Sequence, residues 1–465
     1  MTVGKMSRRS LLKLMGSSAV ALGVAACAAP SPGGAPAGAP AEAGPVTLRL
    51  MTWGGTDNTE RRNKAVRSVY PELDEQSTVE VVVGGAGDFE VADAVRLALA
   101  AGTDIPNIVQ FNRTQIAEFA AAQELLALEE AWGPYKDDMY TGAIDLCMYE
   151  GSLVCYPYEV KSKVFHYRQD MLDGMGVSTA DMKTANDFIA IGKAFHETYP
   201  NSYLLNLGPQ PAQYWLGELL SAYPDARMAD EAGNYLVAEH QAFADTFQFI
   251  KDIYDSGLAT PIDDWSSDWQ QAFADEMICG SLIASWMKFF LPTFAPSQGG
   301  LWGTSLWPEL APLADQRYGS EAGGSVLVVP KRSEHLEAST EYLNKMFLDK
   351  DGALACYGAT GMTPLMESAR DTLMEAAANL EKPAGMSDED WNTQPNVFFG
   401  SEYQGIELDS YNYVKVFPYD PSATKEIDIL HQWLIKFLAN EATLVEALDG
   451  AKADMEGQIG NPYLV

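Results

Sequence analysis

The side chains best suited to bind a ligand in this sequence are aromatic, and they lie in loops and at the ends of predicted helices and strands. Binding residues collect at such positions because a rigid scaffold holds the loops in place. An aromatic face packs against the C–H face of a sugar ring, while the hydroxyls of the sugar need polar partners in fixed orientations. The pattern therefore favours a binding site for a hydroxylated solute. The residues concerned are Trp53, Tyr158, Tyr214, Trp215, Trp265, Trp269, Trp286, Trp302 and Trp307.

The sequence shows no arrangement of residues typical of an enzyme or a metal site. The five histidines lack the close helical spacing of a zinc pair. The glycine-rich run 84–87 precedes a predicted helix but lacks the Lys-Ser/Thr of a phosphate-binding loop. The acidic runs 263–264 and 388–390 could supply a glycosidase pair, yet sequence spacing does not give the spatial separation of two carboxylates. We interpret them as solvated loops, and we expect no cofactor, no metal and no catalysis.

The N-terminus has the features of an export signal. Residues 7–13 read SRRSLLK, a twin-arginine pattern, and the apolar stretch 14–26 is too short to span a bilayer. The small residues before Cys27 resemble the lipobox of bacterial lipoproteins, in which this cysteine is lipidated. We therefore predict a signal peptide over 1–27, a flexible Ala/Pro/Gly tether over 28–45, and a membrane contact through the lipid alone. The expected location is the outer face of the cytoplasmic membrane, periplasmic or extracellular.

Composition narrows the possible partners. The 465-residue chain has 47% hydrophobic and 20% charged residues, typical of a folded domain, and a formal net charge of −33. Removal of the signal takes away four basic residues and makes the charge more negative still. Such a charge argues against nucleic acid or an anionic membrane surface as a partner.

The hydrophobic pattern after the tether predicts an α/β fold. Strands are predicted over 46–52, 78–83 and 107–111, with helices over 60–70 and 89–101 between them. This βαβαβ order favours a parallel, doubly wound sheet. Farther along the chain we predict an extended segment over 160–167, a helix over 185–199 that begins with a capping box of Thr184 and Asp187, a helix over 241–256, and a strand over 326–330 that returns to the first unit.

A segment at 156–172, YPYEVKSKVFHYRQDML, separates this α/β unit from the next. The chain here has five features in a fixed order: an apolar run, Tyr-Pro, an acidic residue, a strand ending in Tyr, and an Asp-x-Leu helix start. This order resembles the first inter-lobe crossing of the extracellular solute-binding proteins of ABC importers, the sugar-binding family that includes maltose-binding protein. Weaker similarities follow the family order at 98–109, 183–187, 272–286 and 323–331, and the resemblance extends over 46–458. The chain departs from the residues usual in the family at three positions, Arg168, Asn107 and Ala185.

The resemblance implies a two-lobed fold like that of type II periplasmic binding proteins, with a ligand cleft between the lobes. We expect lobe one to contain residues 46–157 and 281–331, and lobe two 158–280 and 332–465. Three residues match cleft positions of the family: Trp53, Trp286 and Glu159. Two others, Asn112 and Arg113, lie at the end of the third predicted strand. The glycines at 323–324 allow a ligand to approach the backbone closely. The predicted ligand-binding residues are Trp53, Gly54, Asn112, Arg113, Tyr158, Glu159, Trp215, Trp286, Gly323 and Gly324.

The function implied by the resemblance is capture of a carbohydrate and its delivery to the permease of an ABC importer. We expect a monomer that undergoes no covalent chemistry. A polyol, peptide or polyamine ligand is an alternative within the same fold, while a secreted carbohydrate-active enzyme and an adhesion lipoprotein are alternatives from other classes.

Cys147 and Cys155 flank the turn at 150–151 and could form a disulfide after export, or stay as two buried thiols.

Overall fold

The computed structural model describes residues 44–223, 225–306, 319–320 and 322–464, without the side chains of 209–213 and 319. The predicted signal peptide with Cys27, most of the predicted tether, and Trp307 lie outside the described residues. Within that description, no helix has the length and apolar character needed to cross a membrane.

The strands are short, apart from the first two. They are β1 Val46–Trp53, β2 Ser77–Gly85, β3 Ile108–Asn112, β4 Met148–Tyr149, β5 Ser152–Leu153, β6 Tyr156–Pro157, β7 Val164–Arg168, β8 Leu205–Asn206, β9 Ala259–Thr260, β10 Gly280–Ser281, β11 Trp302–Leu306, β12 Gly319–Ser320, β13 Ser325–Val328 and β14 Val414–Lys415.

The α-helices surround these strands. They are α1 Asp57–Val69, α2 Leu73–Gln76, α3 Asp88–Ala101, α4 Arg113–Ala121, α5 Glu129–Trp132, α6 Thr141–Cys147, α7 Gln169–Met175, α8 Ala185–Thr198, α9 Pro209–Leu220, α10 Gln241–Ser256, α11 Ser267–Ala274, α12 Met287–Phe294, α13 Leu336–Leu343, α14 Lys350–Thr360, α15 Arg370–Ala378, α16 Asp388–Asn392, α17 Pro395–Phe398, α18 Tyr403–Ser410, α19 Ala423–Leu438 and α20 Leu444–Gln458. A π-helical turn, Asn344–Leu348, follows α13, and short 3₁₀ turns lie at Lys136–Asp138, Thr179–Asp181, Pro296–Gln298 and Glu367–Ala369.

The first sheet has the strand order β2-β1-β3-β13-β6. Its first three strands are parallel, as the βαβαβ pattern predicted, whereas β13 runs antiparallel to both β3 and β6. The sheet is therefore mixed rather than fully parallel. β13 is the predicted return strand, and its pairing with Tyr156 and Pro157 of β6 brings the chain back beside the predicted crossing.

A second sheet follows the crossing and is antiparallel, with the order β10-β7-β11. β7 begins only at Val164, four residues later than the extended segment predicted from residue 160. The pairing of β11 with β7 places 302–306 beside the second sheet, although the sequence-based division assigned these residues to lobe one. Strand pairing between residues so far apart in the chain leaves no local signal in the sequence.

Three groups of buried apolar residues correspond to this division. The first packs around β1, β3, β6 and β13, and it also takes in residues 342–373 from α13, α14 and the turns beside them. The second surrounds β7 and the helices α8 to α10, α19 and α20. The third is rich in aromatic residues and joins α11 and α12 to residues 398–403. Segment 342–373 therefore packs with the first sheet, not with the second lobe to which the sequence analysis assigned it.

Several helix boundaries follow from local chemistry. The Thr184 side chain accepts a hydrogen bond from the Asp187 amide at 3.2 Å, and the Asp187 carboxylate accepts one from the Thr184 amide at 3.1 Å. This capping box, predicted from the sequence, satisfies amides that the first turn of α8 leaves unpaired. α10 spans the residues predicted for it, Gln241–Ser256.

The two cysteines beside the β4–β5 hairpin are buried free thiols. Glu150 and Gly151 at the turn have φ values of 45° and 86°, and the Val154 amide donates to the Cys147 carbonyl at 3.0 Å. Burial raises the pKa of the Cys147 thiol, with the neighbouring Cys155 thiol adding to the effect. Of the two alternatives drawn from the sequence, the structure has the pair of thiols.

Candidate functional site

A cavity of about 960 Å³ is lined by residues at the strand ends of the first sheet, by the crossing segment and by residues next to several helices beyond it. Trp53 and Asn112 reach it from the ends of β1 and β3, because the carboxyl ends of parallel strands meet at one edge of a sheet. Trp265 and Trp286 form part of the opposite wall, next to α11 and α12. Glu159 and Lys161 line the cavity from the crossing segment.

Seven of the ten predicted binding residues line this cavity. They are Trp53, Asn112, Arg113, Glu159, Trp215, Trp286 and Gly323. The structure therefore brings together residues that lie as far apart in the chain as 53 and 323. Their contact with a ligand stays a prediction.

The other three predicted residues, Gly54, Tyr158 and Gly324, do not line the cavity. Tyr158 is buried, its hydroxyl donates to Asn58 Oδ1 at 2.9 Å, and the Arg62 guanidinium lies 4.2 Å from the centre of its ring. It contributes to the core of the first sheet. Gly54 has a φ of 75° and continues the end of β1, since its amide donates to the Gly85 carbonyl at 3.2 Å.

The part of the cavity next to α11 and α12 carries a cluster of aromatic rings. Trp265 stacks on Trp286 with 5.2 Å between ring centroids and 17° between planes. Phe290 meets both rings edge to face, and Trp269 packs against Trp265 from the buried side. Trp265 and Tyr214 are about half exposed, so they offer aromatic surface to the cavity.

A buried polar group formed by Lys163, Glu218, Asp264 and Asn206 reaches the same cavity. Lys163 forms an ion pair with Glu218, and Asn206 donates to Asp264 Oδ1 at 2.7 Å. Burial raises the pKa of Glu218 to about 7 and that of Asp264 to about 6, and it lowers the pKa of Lys163. Low-dielectric surroundings disfavour the charged form of each group. Glu218 and Asp264 also line the cavity, where they present oriented oxygen atoms to a solute.

On the opposite side, the charged residues of the cavity have protein partners. Glu159 pairs with Lys161 at 3.0 Å, and Asp88 Oδ2 accepts from the Gln115 amide at 2.8 Å. Arg113 Nη2 donates to the Met148 carbonyl at 3.1 Å, whereas its buried Nε and Nη1 have no hydrogen-bond partner among the described residues. These side chains are therefore held in defined orientations before any ligand arrives.

Sequence reasoning missed several residues of the site. Lys161 and Glu218 carry no motif, because their position depends on the packing of distant segments. Asp264 belongs to the acidic run 263–264, which we interpreted as a solvated loop; its side chain is instead buried and lines the cavity, so that interpretation is wrong for Asp264. Tyr214 and Trp265 belonged to the aromatic set but were not chosen, since loop aromatics cannot be sorted into core and cavity by sequence alone. Other missed lining residues include Asn58, Arg61, Asp88, Phe89, Phe289, Phe290, Tyr419 and Asp428.

Among the described side chains, no group of three or more histidine, cysteine, aspartate or glutamate residues is placed to hold a metal ion. The arrangement instead combines aromatic faces with oriented polar groups on two walls.

A cavity lined by the strand ends of one sheet, by the crossing segment and by aromatic residues of helices beyond the crossing fits the architecture of a two-lobed solute-binding protein. Residues 72–384 match the family of bacterial extracellular solute-binding proteins, and this is more than half of the chain. The protein belongs to this family. The resemblance recognised in the sequence is thereby confirmed.

Related proteins and structures agree with this assignment. The arabinooligosaccharide-binding protein of Halalkalibacterium halodurans is 20% identical over 375 residues, covering 77% of this chain and 79% of the relative. The ABC transporter associated binding protein of B. animalis subsp. lactis, solved with β-1,6-galactobiose, matches with a TM-score of 0.67 and 18% identity, covering 90% of this chain and 98% of that chain. The galacto-N-biose-/lacto-N-biose I-binding protein of Bifidobacterium longum gives a TM-score of 0.70 at 17% identity, with the same coverage of both chains. These structures show the shared fold, so the predicted two-lobed α/β fold is confirmed.

Proposed function

We propose that this protein binds a carbohydrate in the cavity lined by Trp53, Glu159 and Trp265 and delivers it to the permease of an ABC importer. The observation that carries the proposal is the lining of the cavity, which combines exposed aromatic residues with carboxylate and amide groups. Sugar rings need both features, one for their C–H faces and one for their hydroxyls. Relatives named for arabinooligosaccharide and galactobiose binding support the same ligand class.

The size of the cavity favours an oligosaccharide over a single sugar. Its volume of 960 Å³ lies near the upper end of the range of about 300 to 1,000 Å³ typical of small-molecule sites. A ligand that contacts both walls favours the closed arrangement of the lobes, whereas a ligand on one wall has no such preference. Closure on the ligand supplies a form that a permease can distinguish from the empty protein.

We also propose that the protein acts by binding alone and is held at the cell envelope by a lipid on Cys27. Membership of an extracellular family agrees with export of the chain. The hinge is proposed at the crossing segment around residues 157–161, with β13 as a second connection.

Thermal unfolding of the lipid-free mature chain in the presence of candidate solutes tests the proposal. The panel contains arabino-oligosaccharides, β-1,6-galactobiose, lacto-N-biose, maltose, polyols, peptides and polyamines. A bound carbohydrate at 100 times its Kd adds about 2.7 kcal/mol to the free energy of unfolding. Stabilisation by a polyamine or peptide alone would replace the carbohydrate, and new reducing ends in the incubated sugar would identify an enzyme instead.

A further inference from the structure

Lys288 of α12 is a buried cation whose hydrogen-bond partners come from two other segments of the chain. Its Nζ donates to Glu407 Oε1 of α18 at 2.7 Å and to the hydroxyl of Thr363 at 2.9 Å. The Thr363 hydroxyl donates to Glu407 Oε2 at 2.9 Å, and the Tyr411 hydroxyl donates to Glu407 Oε1 at 3.1 Å. All four residues are buried. Each charge therefore has an opposite charge and further hydrogen bonds, which a charged group needs when it is removed from water.

These four residues, the Lys288 network, join two separate groups of buried apolar residues. α12 belongs to the third group, which also contains Trp302 of β11 and so packs with the second sheet. Tyr411 belongs to the first group, and Thr363 is followed in the chain by Leu365 of that first group. A continuous set of hydrogen bonds thus runs between the two sides of the molecule through buried charges.

The Lys288 network lies beside the cavity without lining it. Phe289 and Met362 line the cavity, and each is the chain neighbour of a network residue. α18 continues to the crossing segment, where Ser410 Oγ lies 2.5 Å from Ser162 Oγ. The Ser162 carbonyl accepts from the amide of Ser285, just before α12, at 2.9 Å. The network and the proposed hinge are therefore parts of one connected polar region.

Closure of the lobes must either keep these hydrogen bonds or break them. Breaking them would leave buried charged and hydroxyl groups without partners, which costs more inside a protein than the same loss in water. Groups close to a rotation axis move least when one lobe turns against the other. A motion that keeps the network intact therefore has its axis close to the network.

We propose that the Lys288 network is a joint between the two lobes, which holds α12 against the segment after α14 and lies at the axis of closure. Its members are then positioning residues, because they act on a ligand through the neighbouring cavity residues Phe289 and Met362. The inference rests on the proposed closure of the lobes and holds for any class of solute. The alternative is a network that stabilises the fold and has no part in closure.

The double variant Thr363→Val/Tyr411→Phe tests the joint. It removes two hydroxyls while keeping the shapes of both side chains, and it leaves the buried ion pair in place, so the fold should survive. If the double variant does not fold, Thr363→Val alone is measured. The matched control is Tyr342→Phe, which removes a buried hydroxyl that donates to Asn63 Oδ1 of α1 at 3.1 Å, on the side of the first sheet.

Small-angle X-ray scattering of the empty, lipid-free mature chain and calorimetric titration give the two measurements. The titrated solute is the member of the arabino-oligosaccharide, galactobiose, lacto-N-biose and maltose set that stabilises the unmodified protein most. The empty double variant should have a larger radius of gyration than the unmodified protein, and its affinity should fall by about 10- to 30-fold, the effect of losing two hydrogen bonds. Tyr342→Phe should lower the melting temperature and leave both the radius and the affinity unchanged.

A double variant with a lowered melting temperature but an unchanged radius and affinity overturns the joint and leaves the proposed function intact. A radius that rises equally in the Tyr342→Phe control also overturns it, because the rise is then a general loosening of the fold. If no sugar of the set binds the unmodified protein, the proposed carbohydrate function fails, while the radii of the empty variants still decide whether the network is a joint.

Discussion

Glu426 offers a sharp test of the structure, because it is a fully buried carboxyl group in the helix that borders the cavity. Both of its oxygens lack a hydrogen-bond partner of good geometry among the described residues. Its polar neighbours are the Asp420 carboxyl and the Tyr235 hydroxyl. Burial, assisted by Asp420, raises the pKa of Glu426 to about 9. The folded protein therefore keeps a proton on Glu426 at neutral pH, whereas the unfolded chain releases it.

The sign of the effect on stability follows from this difference. A carboxyl group with a raised pKa in the folded state contributes its full stability below its unfolded pKa, and the contribution falls as pH rises toward the folded value. Each pH unit in this window removes about 1.4 kcal/mol from the free energy of unfolding. Between pH 6 and pH 8 the loss attributable to Glu426 is about 2.7 kcal/mol.

The substitution Glu426→Gln should remove this dependence. Glutamine has the shape of the protonated side chain and can donate a hydrogen bond to Asp420, so the fold should survive. Relative to the unmodified protein, the variant should gain about 2.7 kcal/mol in free energy of unfolding between pH 6 and pH 8. Urea unfolding at pH 6, 7 and 8 measures this gain.

The matched control is Glu441→Gln, which changes an exposed glutamate three residues beyond the same helix. Its pH dependence should equal that of the unmodified protein. If the curves for Glu426→Gln and the unmodified protein run parallel from pH 6 to pH 8, Glu426 is ionised in the folded state and the reasoning from burial is wrong.

Three further predictions concern the proposed function. Trp53→Ala should weaken sugar binding by about 10-fold or more, measured by calorimetry, because it removes the aromatic face at the end of β1; affinity equal to that of the unmodified protein would remove Trp53 from the site. Cys27→Ala should move the protein from the membrane to the soluble fraction after cell fractionation, and a variant that still sediments with membranes contradicts the lipid anchor. Saturating sugar should reduce the radius of gyration measured by small-angle X-ray scattering, since a ligand on both walls favours closure; tight binding with an unchanged radius means a rigid receptor or a site on one lobe. The same scattering data give the molecular mass and so check the expected monomer.

Features that depend on neighbours in the chain could be predicted from the sequence. The capping box at Thr184, the extent of Gln241–Ser256 and the three parallel strands of the first sheet all appear in the structure as expected. Hydrophobic periodicity and capping chemistry act over a few residues, so the sequence records them directly. The family resemblance extended this reading to the two-lobed fold and to Trp53, Glu159 and Trp286, which line the cavity.

The tertiary structure alone decided which aromatic residues face the cavity and which segments belong to each sheet. Tyr158 and Trp265 both lie in loops. Tyr158 packs in the core, where it contacts Arg62 and Asn58, whereas Trp265 stacks on Trp286 and stays at the surface. The pairing of β11 with β7 and the packing of 342–373 against the first sheet likewise join residues more than a hundred positions apart. Such contacts are selected by the packing and burial of the whole domain, and no short stretch of sequence contains the partners that decide them.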